Sequence, residues 1–273
     1  MKIYRRMNIG TGKPSPEVRA EIPHHCIDIA EPSEGLSVAQ YVAAADEAIE
    51  AVRSAGAVPL AVGGTSLYIK ALSEGLFDGP PADPELRGAL RKRAQDEGLA
   101  SLHAELARVD PTAAERIHPN DAKRIIRALE VHRATGQPIS ALQSQWGAGR
   151  RRHDCIFIGL TRDKAQLNHR INLRAKRMIE VGLRDEVAAL LAEPAGLSDQ
   201  AAQAVGYAEM IAHLRGQISL AGALEQIKVN TRRLARKQPT WHRRFADVQW
   251  FSVGPDEPAT QTVERILQEV RFE

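Results

Sequence analysis

The sequence predicts an α/β fold with a helical insertion. Three observations predict it. Between residues 37 and 74 a helical pattern, a short apolar run, two glycines and a second helical pattern follow one another, the order of α/β proteins. From residue 80 to residue 145 the patterns are helical only. Apolar runs of strand length return at 155–160 and 248–253, with helical patterns between them. The core is therefore expected to comprise residues 1–83 and 151–273, and the insertion residues 84–150.

Each element has a local signal. Residues 1–35 read as irregular, punctuated by Pro14, Pro16, Pro23 and Pro32. Ser37 stands as an N-cap before Val38, Tyr41, Val42, Ala45, Ile49 and Val52, which recur at helical spacing until Gly56. The run Val58-Pro59-Leu60-Ala61-Val62 reads as a buried strand, with Pro59 confining it to its first residues or to a sheet edge. Gly63-Gly64 closes the run, and a helix follows over 65–74. Helices are predicted at 84–97, 99–108, 111–117 and 120–135, then at 163–180, 183–192, 201–214 and 219–237. The last strand, at 248–253, precedes a helix at 258–270. There is no internal repeat and no low-complexity tract.

Composition narrows the class. The 273 residues are 43% hydrophobic and 26% charged, as in soluble globular proteins. No run of about 18 apolar residues occurs, so no membrane-spanning helix is expected. The start, MKIYRRMNIG, lacks the apolar core of a signal peptide. Two distant cysteines, Cys26 and Cys155, suit a reducing cytoplasm better than a disulfide framework. A net charge of +3 does not by itself mark a nucleic-acid binder, so the placement of charge decides.

Six segments could carry chemistry. In Val62-Gly63-Gly64-Thr65-Ser66 the glycines admit a ligand to the backbone. The Thr65 hydroxyl can either cap the helix or bond a substrate. Gly10-Thr11-Gly12-Lys13-Pro14 imitates a phosphate loop, but its spacing is wrong, Pro14 follows the lysine and no strand precedes it. His24-His25-Cys26 suggests a metal, yet adjacent side chains on an extended segment point apart and chelate poorly. Lys123, Arg124 and Arg127 share one helical stretch with Asp121 and Glu130, either as a solvated face or as a phosphate contact.

The last two segments are more pointed. Arg170, Arg174 and Arg177 are spaced to share one helix face with no acid between them, which suits a polyanion as well as acids elsewhere in the fold. Residues 226–246 contain no acid. They carry Lys228, Arg232, Arg233, Arg236, Lys237, Arg243 and Arg244, interleaved with Trp241, His242 and Phe245. Cations with interleaved aromatics are the expected footprint of a nucleic-acid backbone and an unstacked base. The Arg150-Arg151-Arg152-His153 cluster adds to the same field.

Taken in order, IYRRMNIGTGKPSPEV, PHHCIDI, VGGTSLYIKAL, ADPELR, IHPNDAKRIIRALEV, GLRDEV, AVGYAEM and TRRLARKQPTWHRRF resemble the tRNA dimethylallyltransferase (tRNA isopentenyltransferase) family over essentially the whole chain. The resemblance implies a P-loop NTPase-like parallel α/β core with the helical insertion gripping the anticodon stem of tRNA. It implies transfer of a dimethylallyl group from dimethylallyl diphosphate, with magnesium, to the exocyclic amine of the adenine 3′ to the anticodon. Such chemistry needs a stabilised diphosphate and a flipped-out adenine. Thr65 and Arg87 fall on reaction-centre positions. Met1, Lys2, Lys123, Arg124, Ile125, Ile126, Arg127, Gln203, Gly206 and Tyr207 fall on segments assigned to tRNA. To these the basic tract adds Arg232, Arg236, Lys237 and Trp241. Arg170 and Arg174 are assigned to the diphosphate. The chain is expected to act as a cytoplasmic monomer.

The family pattern begins with a strand, a loop of the form G-P-T-x-S-G-K-T, a helix, a second strand and an aspartate. Met1-Lys2-Ile3-Tyr4 falls just after these, so the first strand and the phosphate loop are expected to be missing, along with the usual magnesium ligands and the base. Exposed sheet edges and apolar surface are the expected consequence. Two readings of activity stay open: the transferase, and a catalytically inactive, truncated tRNA-binding fragment. A small-molecule kinase of related fold is opposed by the absence of a phosphate loop and by the acid-free tract.

Overall fold

The computed structural model describes all residues except Asp78, residues 144–150, Arg244, Ala246 and residues 272–273; for Trp241 it describes only the backbone. It is mixed α/β, with many helices and a small parallel sheet. The chain divides into two compact units, one of Met1–Ile69 with Asp154–Glu273, the other of Lys70–His153. The second unit thus begins before the expected residue 84, taking in the end of a helix and the FDGPPADP loop. No helix among the described residues is long and apolar enough to cross a membrane.

In the first unit, α1 (Pro16–Glu21) interrupts the segment expected to be irregular. Ser15 caps it and Pro16 occupies its first turn, where a missing N–H costs nothing. α2 (Val38–Ser54) starts at a capping box in which Ser37 and Gln40 satisfy each other's backbone N–H groups. The turn at Gly63-Gly64 leads into α3 (Ser66–Glu74). β1 (Phe157–Thr161) pairs in parallel with β2 (Val248–Ser252), in the register Phe157 to Val248 through Thr161 to Ser252. Tyr4 and Ala30 add one isolated parallel bridge.

The helices between the strands carry most of this unit's core. They are α9 (Lys164–Glu180), α10 (Leu183–Ala192), α11 (Asp199–Ala202), α12 (Tyr207–Leu214) and α13 (Leu220–His242). Their buried side chains Leu183, Val187, Leu190, Met210 and Ile227 enclose Tyr4 and Met7 from the N-terminal segment. α14 (Ala259–Glu269) closes the unit's sequence. The helix expected at 201–214 is broken at Gly206, whose φ of 98° leaves the helical region. α13 runs past the expected residue 237 and through Pro239.

One expectation is corrected. Residues 58–62 belong to no strand, and Val58, Leu60 and Val62 are 87%, 82% and 88% exposed. The apolar run was read as buried because hydrophobicity signals a preference for burial. A strand also needs a neighbour to receive its hydrogen bonds, and β1 and β2 form a sheet of their own.

The second unit is helical, as its patterns predict: α4 (Pro84–Asp96), α5 (Leu99–Val109), α6 (Pro111–Arg116), α7 (Ala122–Thr135) and α8 (Ile139–Leu142). Leu90, Leu102, Leu106, Ile125 and Leu129 are its fully buried core. Asp121 caps the start of α7 and Gly136, at φ 70°, its end.

Candidate functional site

The glycine turn before α3 is held from α13. Gln238 donates through Nε2 to the Gly64 carbonyl at 3.2 Å. A Cβ on Gly64 would lie 2.3 Å from that nitrogen, so only glycine admits this approach without a shift. Thr65 is exposed, and its hydroxyl makes no hydrogen bond among the described residues. The capping alternative is therefore not realised, and the hydroxyl stands open to a partner. Behind it Tyr68 stacks on Tyr41 at 4.1 Å and 18°, which fixes the first turn of α3 on α2.

α13 brings its acid-free tract to this turn. Arg236 and Lys237, beside Gln238, are exposed. Arg232 is half-buried and donates to Asn172 Oδ1 on α9 at 2.8 Å. α9 packs on α13 and carries Arg170, Arg174 and Arg177, all exposed and none paired with a carboxylate among the described residues. Arg174 lies over the Gly10–Gly12 turn, with Nη2 2.5 Å from where a Cβ on Gly12 would stand. Unpaired arginines one and two turns apart on adjacent helices produce a positive field suited to phosphates. The Trp241 side chain, Arg150 and Arg244 lie outside the described residues.

The N-terminal segment has a structural logic of its own. Met1 and Lys2 are exposed, while Tyr4 and Met7 are core. Glu186 of α10 accepts from three consecutive backbone N–H groups, those of Asn8 and Ile9 at 2.9 Å and Gly10 at 3.4 Å. The Tyr207 hydroxyl donates to the same carboxylate at 2.6 Å. Burial, and then the Glu186 carboxylate, hold the Tyr207 phenol well above its ordinary pKa, so it remains a donor. Lys13 is enclosed by Asp28 at 2.5 Å, Asn8 at 3.1 Å and the Tyr4 carbonyl, which makes the GTGKP turn a structural knot. His25 and Cys26 line a cavity of about 300 Å³. Among the described residues no three His, Cys, Asp or Glu side chains could hold a metal ion.

Two further assignments change with burial. Gly206 and Tyr207 are buried, while Gln203 and Ala208 of the same segment are exposed. In the second unit Ile125 is 0% and Ile126 7% exposed, and both belong to its core. A motif match does not tell which face of a helix a residue occupies. The side chains of Tyr207, Ile125 and Ile126 support the segments that carry them and offer no surface to a partner.

Of the α7 residues assigned to tRNA, Lys123 and Arg124 are exposed, the latter 3.1 Å from Asp121. Arg127 and Arg87 converge on Glu130, which the sequence offers as a counter-charge on α7 without showing the tie to Arg87. Glu130 Oε2 accepts from Arg127 Nη1 at 2.7 Å and Arg87 Nη2 at 3.0 Å; its Oε1 accepts from the Asp83 N–H at 2.7 Å. Burial raises the Glu130 pKa, but the two guanidiniums and the amide outweigh it and hold the carboxyl below its ordinary range. The available signal was a lone acid between Leu129 and Val131 on the apolar side of α7. Thr65 and Arg87 lie in different units.

Comparison with known proteins fits these features. A family model described as IPP transferase matches residues 2–245. The tRNA dimethylallyltransferase of Geobacter sulfurreducens is 44% identical over 263 residues, 96% of this chain and 85% of that protein. That of Symbiobacterium thermophilum is 43% identical over 273 residues, 99% of this chain and 85% of that protein. The solved tRNA isopentenylpyrophosphate transferase from Bacillus halodurans aligns with a TM-score of 0.67 at 37% identity, covering 97% of this chain and 82% of that one. A eukaryotic dimethylallyltransferase acting on tRNA aligns with a TM-score of 0.81 at 24% identity, covering 98% and 70%; at that identity the likeness concerns the fold.

Proposed function

We propose, for a chain that belongs to the IPP transferase family, transfer of a dimethylallyl group from dimethylallyl diphosphate to tRNA. The acceptor is the exocyclic nitrogen of the adenine 3′ to the anticodon. That nitrogen bonds to the allylic carbon as the carbon–oxygen bond breaks. Diphosphate leaves with the bonding pair, and one proton is released from the nitrogen. Such a reaction gains from holding the leaving group's charge and from fixing the amine in line with the carbon.

The observation that carries this reading is the union of the acid-free stretch of α13 with the Gly64-Thr65 turn through Gln238. In this reading the Thr65 hydroxyl takes a hydrogen bond with the adenine. Arg170 and Arg174 hold the diphosphate, and Arg232, Arg236 and Lys237 hold the RNA backbone. Met1, Lys2, Gln203, Lys123, Arg124, Arg127 and Arg87 extend the RNA surface over the anticodon stem-loop. Magnesium would enter with the diphosphate as its counter-ion, and no step is assigned to it here. A P-loop NTPase-like core, a cytoplasmic setting and a monomer belong to the same proposal.

The test uses dimethylallyl diphosphate labelled in the allyl group, magnesium and an anticodon stem-loop RNA. Label should enter the RNA in proportion to diphosphate released. RNA that binds but gains no label would leave a tRNA-binding protein without transfer.

A further inference from the structure

We infer that Glu130 is a positioning residue for RNA recognition, presenting Arg87 and Arg127 as one forked cationic unit on the second unit's surface. The inference rests on the RNA-binding reading above and names what holds two of its arginines in place.

Glu130 is buried in α7 between Leu129 and Val131, with a side chain only 1% exposed. A carboxylate in such a place must be paired and hydrogen-bonded, and an apolar residue would fill the space at lower cost. Its partners are two arginines and one backbone amide, and the arginines share a single oxygen, Oε2. Arg127 is held a second time by the Pro80 carbonyl at 2.9 Å, and its guanidinium lies 5.9 Å from the Phe77 ring centroid. Arg87 has one tether among the described residues, the bond from Nη2 to Glu130.

Charge balance separates this cluster from the other buttressed arginines of the unit. Arg93 and Arg133 face two acids, Glu97 and Glu105, and are neutralised by them. Among the described residues Arg87 and Arg127 face one acid between them, for the Asp83 carboxylate is turned to cap α4 through Leu86. Among these groups one positive charge is left over. Both guanidiniums remain about one-third exposed, so a free edge faces outward while the inner edge is fixed. A guanidinium fixed on one edge offers the other to a phosphate with less ordering cost.

The test measures affinity of the full chain for a labelled anticodon stem-loop RNA at low salt, with thermal unfolding of each protein alongside. Wild-type binding comes first, and its absence would overturn the RNA-binding reading together with this inference. Given that binding, Glu130→Gln should weaken affinity about tenfold, the scale of one charge-assisted contact. Arg87→Ala should weaken it similarly. The double variant should be no weaker than Arg87→Ala and Arg127→Ala combined, because Glu130 acts only through these two arginines. A merely structural role would lower the melting temperature and the fraction of protein able to bind, leaving the affinity of the folded protein unchanged. If Glu130→Gln does not fold, Glu130→Asp takes its place, withdrawing the carboxylate by about 1.5 Å, one carbon–carbon bond, with its charge kept. It should weaken binding at least about threefold. A folded Glu130 variant that binds RNA as wild type does overturns the inference while leaving the RNA-binding reading intact.

Discussion

Glu186 and Glu130 do comparable work in their two units. Each places one carboxylate against several donors that the chain brings from far away, 176–178 residues for the loop that Glu186 holds and 43–47 for Arg87 and Asp83. Glu186→Gln replaces one acceptor oxygen with an amide NH2 that faces N–H donors of the loop. It should destabilise the protein by about 1 kcal/mol, because these donors are exposed or half-buried. Urea unfolding would read this as a lower midpoint with unchanged slope; an unchanged midpoint would remove the clamp from the argument for the loop. At this scale the polar candidates Thr65, Arg170 and Arg174 are exposed, as a residue that meets a ligand must be. Tyr207, Ile125 and Ile126, which fall on segments that the resemblance assigns to tRNA, have side chains packed in the core, and a motif does not tell this. Glu186 was hidden because its partners in the loop are distant in sequence and leave no local trace; for Glu130 only Arg127 is local, and the tie to Arg87 and Asp83 is not.

Among the elements, α9 and α13 are the pair on which polyanion binding rests. Arg236 is exposed and has no acidic partner among the described residues. Arg236→Ala should weaken RNA binding for all sequences alike. It should also lessen the slope of log affinity against log salt by roughly 0.7 to 0.9, the share of one phosphate contact. An unchanged slope would remove Arg236 from the RNA surface. Helices were the most legible elements because their ends carry chemistry: Ser37 caps α2 where the sequence expects it, and Asp121 and Gly136 cap α7. The break at Gly206 was missed because the apolar spacing runs across it unbroken, and one φ of 98° undoes the helix. The strand at residues 58–62 failed for the opposite reason. Its pattern is right, but no ladder partner is present among the described residues to complete it.

For the whole molecule, acid should act through carboxylates that the fold holds ionised. Glu130 and Glu105 sit below their ordinary 4.5 and Asp110 below its 3.8; in each, burial opposes ionisation and hydrogen bonds outweigh it, from arginines for the glutamates and chiefly from Ser140 for Asp110. Because the folded values are depressed, these groups contribute their stability above the ordinary values and lose it as pH falls through the folded ones. The melting temperature should be flat from about pH 6 to 8 and fall steeply below about pH 4. A melting temperature that holds down to about pH 3 would show that these carboxylates contribute nothing through ionisation.

The most direct measurement compares two anticodon stem-loop RNAs that differ only in the base 3′ to the anticodon, adenine in one and guanine in the other. Each is incubated with the full chain, magnesium and dimethylallyl diphosphate, then digested to nucleosides and weighed by mass spectrometry. A dimethylallylated adenosine from the first RNA and no alkylated nucleoside from the second is the predicted result. Alkylation of neither RNA by a folded protein, or of both alike, would contradict it.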